Sequence, residues 1–313
     1  MQTSLLRRLK KEKYLQIMAL FGLAWMLVFN YMPMYGILVA FKRNYRVTES
    51  LFSLNFLKSQ WAPMGGFGHF IAFIKDPEFA NILMNTLGIS LLKLFIAFPL
   101  PIIFALLLNE LRSDRFKKTV QTISYLPHFL SWVVLGGILT TWLSEAGFLN
   151  EILVKMGLLG GKGVTFLAYP KYFWGIVVIS EVWKELGWSS IIYLAAIASI
   201  DQEMYEAAEL DGVSRFKKIW YITLPCIMGT ITILFILAVG GLLNSNFDQI
   251  LVLWNPLNSQ RSTVIDIYTY HVAMRGMRFS YASAIGLFKS IVAFMLLFGA
   301  NKITKKLNDV SLF

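Results

Sequence analysis

The sequence predicts an all-α integral membrane protein with six transmembrane helices, and three observations carry that reading. Hydrophobic residues make up 57% of the 313-residue chain and charged residues only 15%, with a mean hydropathy of +0.60, above ordinary globular usage. Six apolar runs reach the roughly 20 residues that a bilayer-spanning helix needs: Tyr14 to Phe41, Ile82 to Leu108, Thr122 to Leu143, Tyr172 to Ile200, Pro225 to Phe247 and Phe279 to Thr304. The bases are distributed unevenly between the two sets of connecting segments that six spans create. A single transmembrane domain over residues 1–313 follows, since no internal repeat or low-complexity stretch marks a second one.

The first run follows a basic stretch and could be read as a signal peptide, but it is too long and no small-residue cleavage site closes it, so it is a retained span. Pro33 and Gly36 in "NYMPMYGILVAF" can bend its end. The next connection contains "WAPMGGFGHFIAFIKDPEFAN". Its aromatics and glycines suggest a packed cap with an amphipathic helix anchored at the interface, and Asp76-Pro77 marks the start of the following helix.

Orientation comes from the bases. An even number of spans puts both termini on one side, with the 109–121 and 201–224 connections. That side holds 15 bases in about 63 residues, against 11 in about 98 on the other. They are Arg7, Arg8, Lys10, Lys11 and Lys13, then Arg112, Arg115, Lys117 and Lys118, then Arg215, Lys217 and Lys218, and finally Lys302, Lys305 and Lys306. The positive-inside rule therefore makes the termini cytoplasmic. The net charge of +11 reads as topology and not as a nucleic-acid footprint, because no basic and aromatic module accompanies it.

Several chemistries are excluded. Cys226 is the only cysteine, and His69, His128 and His271 are scattered over three segments, so no metal site is expected. A phosphate loop needs Gly, four residues, then Gly-Lys-Ser/Thr; around Lys162 the first glycine is replaced by Met156 and the last position by Gly163. No catalytic residue is assigned.

The connection at 201–224 is charged, with acids Asp201, Glu203, Glu206, Glu209 and Asp211 and bases Arg215, Lys217 and Lys218. Ser199 with Gln202 is a possible capping box for a short helix through Glu206, Ala207, Ala208 and Leu210. Gly212 suits the left-handed position that ends it. Ser214 would cap a second short helix, Arg215 to Thr223, and Pro225 would open the next span. Both helices are too short to be stable alone, and the small Ala207 and Ala208 let another protein approach the backbone.

Glu206-Ala207-Ala208, three residues, Gly212, nine residues, Ile222, one residue and Leu224-Pro225 resembles the complete EAA motif of permease subunits of binding-protein-dependent ABC importers. The likeness implies the type I ABC importer permease fold, with a cytoplasmic coupling-helix hairpin between spans 4 and 5. Glu206, Ala207, Ala208, Asp211, Gly212, Leu224 and Pro225 are then the coupling and ATPase-docking residues. "YLPHFLSWVVLGGILTTWL", "EVWKELGWSSIIYLAAIASI" and "RFSYASAIG" resemble the carbohydrate-uptake branch, and "NYMPMYGILVAF" resembles permeases of polysaccharide fragments. The resemblance implies two ATPase subunits that use ATP and Mg, a second homologous permease completing a heterodimer, an extracellular sugar-binding protein, and the bacterial cytoplasmic membrane; this chain itself would bind no cofactor. An importer of a non-sugar solute, and an enzyme acting on lipid-linked sugars with Glu181 and Glu185 as acid and base, are the alternatives; the EAA spacing and the absence of a metal-ligand set argue against the enzyme.

A charge at the bilayer centre costs roughly 2.5–3.5 kcal/mol on insertion scales, and the fourth run contains Glu181, Lys184 and Glu185. Glu181, Glu185 and Trp188 follow i, i+4, i+7 spacing, so two carboxylates and an indole share one helix face. They form a candidate substrate path, carboxylates for hydroxyls and indole for the C–H face of a sugar, unless Glu181 merely pairs with Lys184 to steady the helix. Asn244, Ser245, Asn246 and Asp248 crowd the end of the fifth run, as a second part of that path or as a cap for the span. In the family resembled, substrate contacts come from the spans flanking the EAA loop. Lys93 and Lys289 are further intramembrane charges without an assigned role.

Overall fold

The computed structural model describes residues 13–48 and 50–308; Arg7, Arg8, Lys10 and Lys11 of the basic N-terminal tail lie outside them. Regular structure among the described residues is helical, apart from one isolated bridge between Lys42 and Trp61. In chain order the helices are α1 (Lys13–Phe41), α2 (Leu54–Lys58), α3 (Gly68–Ile74), α4 (Phe79–Asn109), α5 (Asp114–Phe129), α6 (Trp132–Trp142) and α7 (Phe148–Lys155). They continue as α8 (Pro170–Ala198), α9 (Gln202–Leu210), α10 (Arg215–Gly240), α11 (Phe247–Leu253), α12 (Ser259–Ser262), α13 (Ile265–Met274) and α14 (Phe279–Asn308).

Three long helices cross an internal proline by the same device. Proline has no N–H and its ring crowds the carbonyl four residues back. In α1, α4 and α10 the residue immediately before the proline donates five residues back instead of four. Met32 bonds to Leu27 ahead of Pro33, Phe98 to Lys93 ahead of Pro99, and Leu224 to Ile219 ahead of Pro225. The widened π-turn makes room for the ring, and the helix continues. This corrects two expectations for the hairpin: Arg215–Lys218 runs without a break through the π-turn Ile219–Thr223 into the helix after it, and Ser214 makes no side-chain cap bond.

Among the described residues four helices are long and apolar enough to cross a bilayer alone: Lys13–Phe41, Phe79–Asn109, Arg215–Gly240 and Phe279–Lys306. The expected third span, Thr122 to Leu143, is instead broken, with α5 and α6 meeting at 99°. Its apolar composition hides two stop signals. Pro127 ends the α-helical part in a tight 3-10 turn, and the Ser131 hydroxyl accepts from the Val134 N–H to start α6. α8 has 29 residues, about 43 Å at 1.5 Å per residue, yet its charges keep it out of the purely apolar set. The fifth span also ends earlier than expected, at Gly240 and not Phe247, because Gly241 caps it and Asn246 adopts a left-handed φ of 57°.

The chain divides into two compact units, residues 1–76 with 270–288, and 77–269 with 289–313. In the first, Phe56 and Phe73 are fully buried, and so is Lys42. The Lys42 ammonium donates to the carbonyls of Leu57 and Ser59, both at 2.9 Å, and lies 4.2 Å from the Trp61 ring centre, so a buried cation is satisfied without a carboxylate. The expected packed cap is this structure, with α3 as its short helix.

The second unit has two apolar clusters. One joins Ile89 of α4, Phe173 and Val177 of α8, Ile250 and Leu253 of α11 and Ile267 of α13. The other joins Ile102 and Ala105 of α4, Tyr193 and Ile197 of α8, and Ile227 of α10. Glycines set the closest approaches: a Cβ on Gly187 of α8 would lie 2.3 Å from the Ser124 carbonyl oxygen of α5. That contact presses two backbones together, as small residues do between membrane helices.

Candidate functional site

The hairpin at 201–224 is held by its own caps. Asp201, not Ser199, is the N-cap of α9: its carboxylate accepts from the Glu203 N–H, while the Ser199 hydroxyl turns back to the Ala196 carbonyl. At the other end Gly212 has φ 68°, Val213 N–H donates to the Ala208 carbonyl and Gly212 N–H to that of Glu209. Those two bonds are the Schellman closure, which glycine adopts at little steric cost.

Across the hairpin, Lys218 reaches Glu209 at 2.6 Å, and the bond holds the Glu209 carboxyl below its usual range. Tyr205 bonds Thr223 at 2.8 Å. The inner face then packs on the helix bundle, with Tyr205, Ile222 and Leu224 against the cluster of Ile102, Ile197 and Ile227. Much of the rest of its surface is bare: Leu210 is 91% exposed and Phe216 87%, and Phe216, Trp220 and Tyr221 border a groove with Ile103 and Leu107 of α4, whereas Ala208 is buried. Glu206, Ala207, Asp211, Gly212 and Pro225 are exposed and Leu224 is half-buried. Exposed aromatics on a rigidly capped turn make an apolar, charge-rimmed surface.

The charges of α8 form two nodes and not one stripe. Glu181 accepts from Lys93 of α4 at 3.2 Å and from the Asn246 side chain at 3.0 Å. Lys93 also donates to Gln249 at 2.9 Å, and Gln249 donates to the Val177 carbonyl and the Ser180 hydroxyl. Glu185 instead meets His128 Nδ1 at 2.7 Å and Lys184 at 3.2 Å. Lys184 is buried, donates to the His128 carbonyl and faces the Trp132 ring. The indole of Trp188 stacks on the His128 ring, centres 4.3 Å apart and planes within 2°. The Glu181 to Lys184 pair considered from sequence is not formed: each takes a different partner.

The polar segment after α10 divides as well. Asn246 joins the Glu181 node, and Asn244 lines a cavity of about 160 Å³ with Lys93, Ser90 and Phe98. Ser245 is buried beside Asp266, which pairs with Lys289 of α14. Asp248 is exposed on the first turn of α11 and joins neither node. Trp188 lines a larger apolar groove of about 420 Å³ with Phe98, Pro101 and Tyr193. Phe98 is common to both hollows, so the α8 indole and the Asn244 segment border adjoining space.

Lys93, His128 and Gln249 complete these nodes and were not assigned from sequence. Lys93 was visible as an intramembrane charge; His128 stood beside Pro127, where the break brings it to α8.

Residues 97–307 match the family described as binding-protein-dependent transport system inner membrane component. Among curated proteins, the chain is 41% identical to Protein LplB of Bacillus subtilis strain 168, over 97% of this chain and 92% of that one. It is 39% identical to the polygalacturonan/rhamnogalacturonan transport system permease protein YteP of the same organism, over 99% and 93%. A bacterial alginate ABC transporter, solved in complex with an alginate pentasaccharide-bound periplasmic protein, has a chain with TM-score 0.87 and 36% identity, over 98% of this chain and 99% of that one. A second structure, of an ABC transporter involved in the import of the acidic polysaccharide alginate, gives 0.86 and 37%, over 97% and 99%.

Proposed function

Because the chain belongs to the family of binding-protein-dependent transport system inner membrane components, we propose that it is the membrane-spanning permease subunit of an ATP-driven oligosaccharide importer in the bacterial cytoplasmic membrane. It forms half of the translocation path, and a second permease subunit forms the other half. The termini and the 201–224 hairpin face the cytoplasm, where two ATPase subunits hydrolyse ATP with Mg; an extracellular binding protein delivers the sugar. The relatives named for polysaccharide transport and the alginate transporter support the carbohydrate reading.

The observation that carries the coupling role is the hairpin. Its inner face is continuous with the cluster of α4, α8 and α10, and its bare outer face offers Leu210 and Phe216 to a partner. Closure of the ATPase pair therefore acts on α8 and α10 together, and those helices carry Trp188 and the approach to Asn244. Opening and closing the space around Phe98 alternates access, with the sugar passing Trp188 and the polar groups of Glu181, Glu185, Asn244 and Asn246. Ser245, buried beside Asp266, supports this segment, and Asp248, which joins neither node, lies outside the path.

The test is deletion of the gene in its host followed by uptake of labelled oligosaccharides, with affinity purification of the tagged protein. Loss of uptake and recovery of an ATPase and a second membrane subunit are expected. Unchanged uptake of every oligosaccharide tried, with a non-sugar solute lost instead, would overturn the substrate reading.

A further inference from the structure

The first unit contains a hollow of about 250 Å³ whose walls are cationic: Arg43, Arg46 and Arg278, with His69, Tyr45 and Ser280. Arg43 and Arg46 follow α1 in irregular chain, while Arg278 precedes α14, just after Met277 at a left-handed φ of 52°. The walls are fixed by bonds that do not involve the arginine charges. The His69 Nε2 faces the carbonyls of Lys42 and Arg43 at 3.0 and 3.2 Å, and the Tyr45 N–H donates to the Ser280 hydroxyl at 2.9 Å, tying segments 235 residues apart.

Among the described residues none of the three guanidinium groups forms an ion pair and no acid lines the hollow. Arg43 donates to the Gln60 side chain at 3.1 Å, Arg278 lies 4.2 Å over the Tyr281 ring, and Arg46 is exposed. In the proposed orientation these residues are outside, where the positive-inside rule does not call for bases. Topology therefore does not explain them, and three like charges around one hollow favour an anion.

We propose that this hollow binds the carboxylate of an acidic sugar unit, of the uronate class, on the incoming oligosaccharide. The proposal rests on the carbohydrate reading above. A guanidinium fork matches a carboxylate with two parallel bonds, which an ammonium does not. The volume is below the roughly 300–1,000 Å³ of pockets that enclose drug-sized ligands, so it suits one sugar ring and not a chain segment. An acidic side chain of a docked protein is the competing occupant.

The full importer complex in nanodiscs, without its binding protein, is titrated calorimetrically with trigalacturonate and with maltotriose as the neutral control. The wild type binds trigalacturonate and not maltotriose, and Arg46→Gln weakens binding by about tenfold, the loss of one charge-assisted contact. Because Arg46 makes no hydrogen bond or ion pair among the described residues, its replacement leaves folding intact; Arg43→Gln with Arg278→Gln should abolish binding. Equal affinity of wild type and Arg46→Gln, equal binding of maltotriose, or no trigalacturonate binding by the wild type would overturn the proposal. So would loss of binding-protein association in Arg46→Gln with trigalacturonate binding unchanged. Uptake of neutral oligosaccharides by the same complex, reconstituted in proteoliposomes with its binding protein, separates failure of this pocket from failure of the carbohydrate reading.

Discussion

Lys93 of α4 and Glu181 of α8 form an ion pair at 3.2 Å, with both side chains largely shielded. Neither charge is stable there alone, since removing one partner of a buried pair costs about 3–5 kcal/mol, while replacing both by apolar groups is often tolerated. Lys93→Met and Glu181→Met should therefore each lower the yield of folded protein sharply, and the double variant should recover it. Size-exclusion yield after detergent extraction measures this. Wild-type yield in both single variants would show that the pair does not hold α4 to α8.

At the second node, Trp188 stacks on His128 and also borders the larger groove. Trp188→Ala removes the surface on which a sugar would lie, so uptake should fall at least about tenfold, the worth of one lost contact of roughly 1.4 kcal/mol. Trp188→Phe should retain most of it. Full uptake by Trp188→Ala, at equal expression, would remove this groove from the path.

The contact between Gly187 and Ser124 leaves no room for a methyl group. Gly187→Ala should destabilise by about 1–3 kcal/mol, the usual cost of overpacking. Gly229 of α10 has nothing within 4 Å of its virtual Cβ, and Gly229→Ala should be neutral or slightly stabilising through helix propensity. Melting curves of the two purified variants side by side check the contrast; equal melting points would contradict the close approach of α5 and α8.

In the hairpin, any side chain at Gly212 must enter the left-handed region, at roughly 1–2 kcal/mol. Gly212→Val, with its branched Cβ, should loosen the turn, and Glu206→Lys should reverse a charge on the exposed rim. Both should leave the helices inserted while uncoupling ATP hydrolysis from uptake. Measured in proteoliposomes, the ratio of sugar imported to ATP hydrolysed should fall in both; a wild-type ratio in both would exclude the coupling role.

What the sequence disclosed is what local chemistry determines. The end of α9 was legible because Gly212 closes it by contacts within five residues, but its Asp201 cap and the run of residues 215–223 on through α10 were not; the long helices were legible from their apolar length. The break between α5 and α6 was not, because Leu126, Phe129, Leu130 and Val133 keep the run apolar across Pro127 and Ser131. The early end of α10 was hidden in the same way by Leu242 and Leu243. The pairing of Glu181 with Lys93 depends on residues 88 apart in the chain, which helix periodicity does not reach; spacing suggested Lys184, one turn away, and the fold chose another helix.

The bare face of the 201–224 hairpin is the proposed seat of an ATPase subunit. The most direct test of that docking is crosslinking in membranes: with the native Cys226 changed to Ser, Leu210→Cys, at the 91% exposed tip of α9, is paired with single cysteines introduced in the co-purified ATPase. Oxidation should yield a permease–ATPase product whose amount changes when ATP is added. No crosslink from position 210 with any ATPase cysteine, in a complex that still imports sugar, would contradict it.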